Sequence, residues 1–398
     1  MTQRADIAIA LRSGDAKVQR FTLDGSDSLE QHLGSVCEEV AKGVLSLIGE
    51  SRLEGLLLGG GYGRGEGGVL GASAGDQPYN DLEFYVFVRG NRILAERKYR
   101  AALHSLGERL SVRAGLEVEF KVLTIKTLRR AEPSMFYHDL VVGHRRIIGG
   151  ESLLSGCEHH RDPRRIPLHE ATRLLMNRCS GLLFSAERLA REEFTSAESD
   201  FVGRNLAKAQ LAIGDVVLTL HGKYHWSCRE RRVRLGDLRR VAREEWLADM
   251  LQHHSAGVLF KLRPIRSRAT REELAERHRS LVELSRQVWL WLEKTRLNEV
   301  FSDTAGYAFC GSDKCPQTKG LRNRLVNARA FGPFAAVKPG ATRHPRQRLL
   351  HSLCLLLWEK NLLETPVLLR RVQRELGTKA SDFRGLVAAY EKLWHRFN

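Results

Sequence analysis

Residues 56–88 read LLLGGGYGRGEGGVLGASAGDQPYNDLEFYVFV, and this stretch decides the fold. Two apolar runs, each typical of a buried strand, are joined by a segment that holds nine of the chain's 35 glycines. In the second run, strand alternation puts Asp81 and Glu83 on one face and Leu82 on the other. The pattern predicts a sheet in which a strand end rich in glycine lies near a strand that begins with two carboxylates.

Two familiar glycine motifs do not account for the segment. Gly63, Gly65 and Gly68 satisfy the G-x-G-x-x-G spacing of dinucleotide-binding proteins, and Glu83 follows at a suitable distance. In those proteins the glycines open a helix, whereas residues 69–80 of this chain are expected to form a loop. A P-loop is excluded because no Gly-Lys-Ser/Thr triplet follows the glycines.

A phosphate-binding turn fits the glycines better. If the first strand ends at Gly59, then Gly60 and Gly61 can turn tightly and expose their backbone N–H groups to a phosphate chain. Arg64 would add a planar cation suited to phosphate oxygens. The sequence therefore predicts a phosphate contact at Gly60, Gly61 and Arg64.

The two acids predict a magnesium site. Carboxylates on a rigid strand suit Mg²⁺, which takes few protein ligands and completes its shell with water and substrate phosphates. A third carboxylate should come from a neighbouring strand. The segment LEVEF offers Glu117 and Glu119, which lie on one face of a predicted third strand, and spacing leaves the choice between them open.

With these residues in place, GGYGRGE and NDLEFYV together resemble the signature of the DNA polymerase beta-like nucleotidyltransferase superfamily, especially its minimal and aminoglycoside-type bacterial branches. The resemblance covers about residues 50–150. The matching positions are Gly60 and Gly61 for a Gly-Ser pair, Arg64, Gly65 and Glu66 for an Arg-Gly-Glu triplet, and Asp81 and Glu83 for the metal-binding acids. Glu119 stands where the third acid is expected, with Glu117 as a close rival.

The resemblance implies an enzyme that transfers NMP from an NTP, with ATP favoured, to a hydroxyl acceptor and releases pyrophosphate. It implies Mg²⁺ as the cofactor, with Mn²⁺ as a substitute, held by Asp81, Glu83 and Glu119, which are also the catalytic residues. The acceptor is left open among a small molecule, a protein side chain and an RNA end. Gly61 replaces the usual serine and Glu83 the usual aspartate, and these departures support an alternative. The alternative is a non-catalytic nucleotide- or RNA-binding protein on a degenerate transferase core.

A weaker similarity continues into the segment KAQLAIGDVVLTLHGKYHW, which looks like the helical partner domain of such cores. Lys208, Lys223 and Tyr224 lie on one predicted helix and its end. A lysine there could meet triphosphate oxygens, and Tyr224 could stack on a base or an acceptor ring. On the third strand, Glu119 is favoured over Glu117 because VEFKVL continues apolar on its inward side, whereas Glu117 follows an exposed turn.

The fold class predicted from the whole chain is α+β, with a small mixed sheet followed by a mainly helical C-terminal half. Residues 1–150 are predicted to form the nucleotidyltransferase-like domain, with a hairpin and a helix over residues 1–49 and the core over residues 50–150. The hairpin strands are placed at residues 5–11 and 17–23. A helical domain is expected over residues 151–300, and a basic loop with C-terminal helices over residues 301–398. The loop is placed at residues 302–344.

Composition sets wider limits on partners and compartment. The net charge of +17 favours polyanions, so nucleic acid joins an NTP among the predicted partners. Seven scattered cysteines fit a reducing cytoplasm better than a disulfide framework, and their spacings are not typical of zinc sites. The longest apolar run is too short for a transmembrane helix, so we expect a cytoplasmic protein with no membrane partner.

Overall fold

The computed structural model of the chain describes residues 20–73, 75–239 and 244–398, which divide into two compact units. Unit 1 contains the described part of Met1–Pro167 together with His221–Arg234 and Val258–Ile265. Unit 2 contains Leu168–Leu220, the described part of Leu235–Gly257, and Arg266–Asn398. The boundaries differ from those predicted at 150 and 300, because residues 151–167 and two later segments group with the sheet.

Unit 1 holds the strands. Its elements, in chain order, are α1 Asp27–Ile48, β1 Leu53–Leu58, α2 Gly60–Gly63, β2 Gly68–Ala72, β3 Gly75–Tyr79, β4 Asp81–Val88, α3 Arg92–Ala114, β5 Glu117–Leu123, α4 Ile125–Arg130, α5 Met135–Val142 and β6 Arg145–Ile148. The main sheet has the strand order β5-β4-β1-β6. β1 is antiparallel to both β4 and β6, whereas β4 and β5 are parallel. The predicted small mixed sheet is confirmed.

One face of the sheet packs against α1 and α3. α1 begins at Asp27, and the Ser26 side chain caps the helix by accepting a hydrogen bond from the Leu29 N–H. The buried residues of α1 recur at helical spacing. They include Leu29, Leu33, Val36, Val40 and Val44, which share one core with Leu56, Leu58, Leu82, Phe84 and Val86 of the sheet.

The opposite face of the sheet is covered over only part of its length. Leu57, Tyr85 and Phe87 point to this face and form a second core with side chains of β5, α4 and α5. Asp81 and Glu83 belong to the same face by strand alternation but lie nearer the start of β4. The two acids therefore stand beside an apolar core on a rigid strand.

The segments before β4 differ in part from their predictions. The strand predicted at residues 5–11 lies outside the described residues, so that prediction is not tested. In the described part of 17–23, Thr22 makes only an isolated bridge with Gly67. Where the sequence predicts a loop, β2 and β3 pair antiparallel from Gly68–Tyr79 to Ala72–Gly75. Glycine and proline weigh against a strand in composition, but a two-stranded ribbon tolerates them because its outer backbone groups need no partner.

The described residues after Pro167 are mainly helical, as predicted. The longer helices are α6 Leu168–Leu189, α7 Ser196–Leu220, α8 Cys228–Leu238, α9 Leu247–Leu262, α10 Arg271–Leu297, α12 Gly320–Phe331, α13 Arg346–Trp358, α14 Pro366–Leu376 and α15 Phe383–Phe397, with the single turn α11 at Thr304–Phe309. The long loop predicted over residues 302–344 is therefore wrong in part, since α11 and α12 lie within it. Its prolines lie outside α11 and α12, and Gly306 within α11 and Gly320 at the start of α12 do not prevent these short helices.

Unit 2 has one extensive apolar core in which α6, α7, α10 and α13 contribute most of the buried side chains. Trp289 is fully buried there, with the rings of Trp358 and Tyr307 at centroid distances of 5.4 and 5.9 Å. A mixed sheet in unit 1 and helices throughout unit 2 make the chain an α+β protein. None of the described helices is both long enough and apolar enough to cross a membrane.

Two later segments join unit 1 through buried or paired polar groups. Glu66 accepts hydrogen bonds from the Ser227 hydroxyl and the Cys228 N–H, at 2.5 and 2.9 Å. Arg263 pairs with Asp24 and Asp76 at 3.0 and 3.3 Å. The sheet-containing unit is therefore completed by residues far along the chain.

Replacing Gly63 with alanine should destabilise unit 1. An added Cβ would lie 2.1 Å from the Leu58 carbonyl oxygen, a backbone atom that cannot turn aside. We expect a loss of about 1–3 kcal/mol in the free energy of unfolding, measured by urea denaturation. Gly34→Ala is the matched control, because nothing lies within 4 Å of its added Cβ and alanine favours a helix interior. A Gly63→Ala protein as stable as the control would contradict this close packing.

Candidate metal centre

The parallel pairing of β4 and β5 brings three predicted acids together. In the register, Asp81 lies opposite Glu117 and Glu83 opposite Glu119. One ligand oxygen from each of Asp81, Glu83 and Glu119 lies within 4.8 Å of the other two. Three acids predicted from sequence as one metal site are thus adjacent in the structure.

The structure also separates Glu119 from its rival. Glu117 is the first residue of β5, is exposed, and is not part of the three-acid group. Same-face residues stand about 6.5–7 Å apart along a strand, so one ion is not readily reached by both glutamates. Among the described residues, Glu119 is therefore the third acid.

The electrostatics of the group favour a bound cation. Burial raises the pKa of Asp81 to about 6, and the charges of Glu83 and Glu119 add to the shift. Lys121 and a hydrogen bond from the Asn80 amide act in the opposite direction. An acid held this far above its ordinary pKa gains most from a positive ion placed among the carboxylates.

Lys121 is a member of this site that the sequence reasoning missed. It lies two residues after Glu119 and so on the same face of β5. Its Nζ donates to Glu83 Oε1 at 2.7 Å and lies 3.5 Å from Glu119 Oε2. Burial lowers the pKa of Lys121, but the hydrogen bond to Glu83 and the nearby acids raise it overall. The period-two spacing of Glu119 and Lys121 was the available signal.

The donor set fits a hard divalent ion. Three carboxylates offer only oxygen ligands, which Mg²⁺ and Mn²⁺ both accept. Opposite oxygens around Mg²⁺ stand about 4.2 Å apart, given bonds of about 2.1 Å, so the present 4.8 Å spread would close by a small side-chain rotation. The three carboxylates can thus hold a divalent ion, but this donor set does not select between Mg²⁺ and Mn²⁺.

The glycine turn at the end of β1 contacts the acids directly. Gly60 has a φ of +60°, and a Cβ added there would lie 3.0 Å from Glu83 Oε2. Gly60 and Gly61 begin the single turn α2, where backbone N–H groups have no acceptor within the helix. The two glycines predicted to contact phosphate therefore lie beside the three acids.

Arg64 is placed differently from its prediction. Its side chain is only 8% exposed, and its guanidinium donates to the Asp139 carboxylate of α5. The hydroxyl of Tyr224, a buried residue, donates to the same carboxylate at 3.2 Å. Arg231 lies over the Tyr224 ring at 5.1 Å. These contacts leave Tyr224 no free ring face for the predicted stacking, and contact of Arg64 with phosphate stays a prediction.

Glu66, the last residue of the Arg-Gly-Glu triplet, holds the turn in place. Burial raises its pKa, but the hydrogen bonds from Ser227 and Cys228 outweigh burial and lower the pKa overall. The ionised carboxylate therefore sits at the first turn of α8, where exposed N–H groups favour an anion. The role of Glu66 is to anchor the turn rather than to bind a ligand.

The two predicted lysines are not part of the described acid group. Lys223 is exposed just after α7, which ends at Leu220, and its carbonyl accepts a hydrogen bond from Arg234. Lys208 is exposed on α7 in unit 2. Their predicted contact with triphosphate oxygens stays a prediction.

Comparison with models of protein families and with curated proteins gave no match to this chain. What the residues of unit 1 can do therefore has to be argued from their own geometry and charge.

Replacing Asp81 with asparagine should stabilise the metal-free protein above pH 6. The pKa of Asp81 rises from an ordinary 3.8 to about 6 on folding, so between these values the folded state keeps a proton that the unfolded state has lost. Stability therefore falls as pH rises through this window, and the cost remains above it. We expect a gain of about 1 kcal/mol at alkaline pH with a chelator present, discounted for solvent screening.

Urea denaturation across the pH range measures this effect, and the gain should fade below about pH 4, where both states are protonated. If Asp81→Asn is no more stable than the unchanged protein at alkaline pH, folding does not raise the pKa of Asp81.

Proposed function

We propose that the protein is a metal-dependent nucleotidyltransferase, which transfers NMP from an NTP to a hydroxyl acceptor and releases pyrophosphate. The observation that carries the proposal is the convergence of Asp81, Glu83 and Glu119 on parallel strands, beside a glycine turn at the end of β1. Carboxylates that hold a divalent ion next to free backbone N–H groups suit a polyphosphate substrate.

In this proposal Asp81, Glu83 and Glu119 hold the ion. A divalent ion bound there would supply positive charge to the phosphate oxygens and to the attacking and leaving oxygens. The backbone at Gly60 and Gly61 orients the phosphate chain, since no Cβ blocks its approach. Holding the NTP and the acceptor in line supplies much of the remaining rate enhancement.

Glu119 is the proposed proton acceptor for the attacking hydroxyl. Its side chain is 39% exposed, against 24% for Glu83, so it is the more accessible of the two glutamates to an incoming acceptor. A carboxylate within hydrogen-bond reach of a hydroxyl can take its proton as the new ester bond forms. The same position at the edge of the acid group allows Glu119 to serve both the ion and the acceptor.

Lys121 has a place in this scheme as well. Its ammonium group neutralises part of the acid group, at 2.7 Å from Glu83. With a divalent ion bound to the carboxylates, the Lys121 ammonium would be free to turn toward an anionic substrate. ATP is the favoured NTP, and the acceptor class is a small hydroxylated molecule, a protein side chain or an RNA end. The net charge of +17 adds attraction toward the RNA end, which is anionic.

A second candidate is a nucleotide- or RNA-binding protein without catalysis. Two observations favour it: Lys121 already pairs with the acids, and Arg64 is engaged by Asp139. An internal cation that holds the carboxylates would make an added ion unnecessary. Metal binding separates the two candidates, since the non-catalytic protein would bind nucleotide without a divalent ion.

Incubation with each NTP labelled at the α-phosphate, with Mg²⁺ or Mn²⁺ and a cell extract, tests the proposal directly. Transfer of label to an acceptor that a chelator abolishes is expected, and nuclease or protease treatment of the product identifies the acceptor class. If a labelled NTP binds with no need for a divalent ion and no label is transferred, the non-catalytic alternative is correct.

Glu119→Gln should lower the transfer rate by at least about 100-fold while NTP binding changes little, because the amide keeps the shape but cannot accept the proton. Glu117→Gln is the matched control on the same strand and face, and it should stay close to the unchanged protein. Mn²⁺ binding, measured by electron paramagnetic resonance, should weaken only in Glu119→Gln. If Glu117→Gln lowers the transfer rate and Glu119→Gln does not, the third acid is Glu117 instead of Glu119.

A further inference from the structure

A long stretch of unit 2 carries charge of a single sign. Between Asp313 and Glu359 the sequence contains nine lysine and arginine residues and no acid. The chain as a whole mixes 64 basic with 47 acidic residues, so a stretch this long without an acid is a local feature rather than a result of composition. Helix α12 lies in the middle of this stretch.

α12 is turned so that its two asparagines face inward. Asn323 and Asn327, one helical turn apart, are buried. Asn323 donates to the Thr342 carbonyl at 2.7 Å, and Asn327 donates to the carbonyls of Ala341 and Arg343 at 2.9 Å. Hydrogen bonds of two buried asparagines therefore help to hold the inward face of this helix, beside the partly buried Val326 and Ala330.

Two leucines of α12 face outward, whereas Val326, Ala330 and Phe331 pack partly against the core of unit 2. Leu321 is 82% exposed and Leu325 is 63% exposed. At 100° per residue the two leucines lie on one stripe, with Arg324 on one side of it and Arg322 and Arg329 on the other. All three arginines are exposed. A globular protein normally orients an amphipathic helix the other way, so this stripe is suited to an apolar partner.

Further exposed apolar side chains follow α12 along the chain. Residues Pro333–Ala336 form a short helical turn after α12, and Phe334 and Val337 are both 78% exposed there, next to the exposed Lys338. Leucine, phenylalanine and valine thus alternate with basic residues along this surface.

The helix is fixed firmly enough to present this surface. Phe331 packs against Phe397 of α15 at a ring distance of 5.9 Å, and Arg348 lies 4.2 Å over the Phe331 ring. Arg396 donates to the carbonyls of Arg329 and Ala330 at the end of α12, where carbonyl oxygens have no N–H donor within the helix. The outward leucines therefore do not result from a loosely held segment.

We propose that the α12 surface, namely Leu321 and Leu325 with Arg322, Arg324 and Arg329, binds an anionic lipid bilayer at its interface. A helix with leucines on one face and arginines beside them lies in the headgroup region, with the leucines inserted and the cations against lipid phosphates. This binding is interfacial and requires no spanning helix. It does not depend on the proposed transferase activity.

Charge alone would equally suit RNA, and the leucines decide between the two. Phosphate contacts need only the basic residues, and single-stranded RNA is stacked on aromatic or arginine side chains rather than on aliphatic ones. Two leucines at the centre of a basic stripe add nothing to RNA binding, whereas they supply the insertion that a bilayer requires.

Sedimentation of the full chain with vesicles tests the proposal. One set of vesicles is phosphatidylcholine alone, and the other is equal parts phosphatidylcholine and phosphatidylglycerol. The protein should bind the anionic set and bind the neutral set far more weakly, and salt should reduce the binding. No sedimentation with anionic vesicles at low salt would overturn the proposal.

The double variant Leu321→Ser/Leu325→Ser should lose at least about tenfold in affinity for anionic vesicles, because both inserting side chains are removed. Val112→Ser/Val300→Ser is the matched control, since these valines are 87% and 92% exposed outside α12. Both variants should keep the circular dichroism and urea midpoint of the unchanged protein, because the altered side chains are exposed.

Two further results would overturn the proposal. The first is a leucine variant that still binds anionic vesicles as well as the control does. The second is RNA binding in place of vesicle binding. In a poly(U) RNA assay, Arg322→Gln/Arg324→Gln would lose RNA binding and the leucine variant would keep it, while the unchanged protein would not bind vesicles. A concentration-dependent dimer that the leucine variant abolishes, without vesicle binding, would instead make this surface an interface between two copies of the chain.

Discussion

The parallel pairing of β4 with β5 is the constraint on which the site depends. This register sets acid opposite acid, with Glu83 next to Glu119, and the β1 turn brings Gly60 against the same carboxylates. Adjacent carboxylates repel, and the raised pKa of Asp81 reflects that cost together with burial. Placing three carboxylates side by side on β4 and β5 lowers the free energy of unfolding. The apolar cores on the two faces of the sheet have to offset this loss.

Much of unit 1 follows from short-range patterns. The strands β1, β4 and β5, the helix α1 with its Ser26 cap, and the shared face of Asp81 and Glu83 all depend on spacing of two or 3.6 residues, which a sequence displays directly. The choice of Glu119 as the third acid rested on the family resemblance and on the apolar continuation of VEFKVL, and the structure places Glu119 beside Asp81 and Glu83.

The parts that sequence missed depend on partners far along the chain. Arg64 has the chemistry of a phosphate ligand, but Asp139 lies 75 residues away and engages it, and Tyr224 is buried by the same cluster. α12 was predicted as part of a loop because its segment is basic and contains glycine and proline. Local composition did not show that Asn323 and Asn327 would be buried by hydrogen bonds to backbone carbonyls while Leu321 and Leu325 stay exposed.

Unit 1 is discontinuous along the chain, and this affects how the protein can be made. Glu66 is anchored by Ser227 and Cys228, and Arg263 pairs with Asp24 and Asp76, so contacts that close the unit span about 160 to 240 residues of sequence. During synthesis the glycine turn stays without its anchor until residues beyond 228 have left the ribosome. A fragment cut at the end of the sheet would expose the buried Glu66 carboxylate without its donors, which destabilises a fold more than losing surface contacts does. Expression of residues 1–167 as a separate domain is therefore the wrong dissection of this chain, because the shortest self-contained form of unit 1 extends to residue 265.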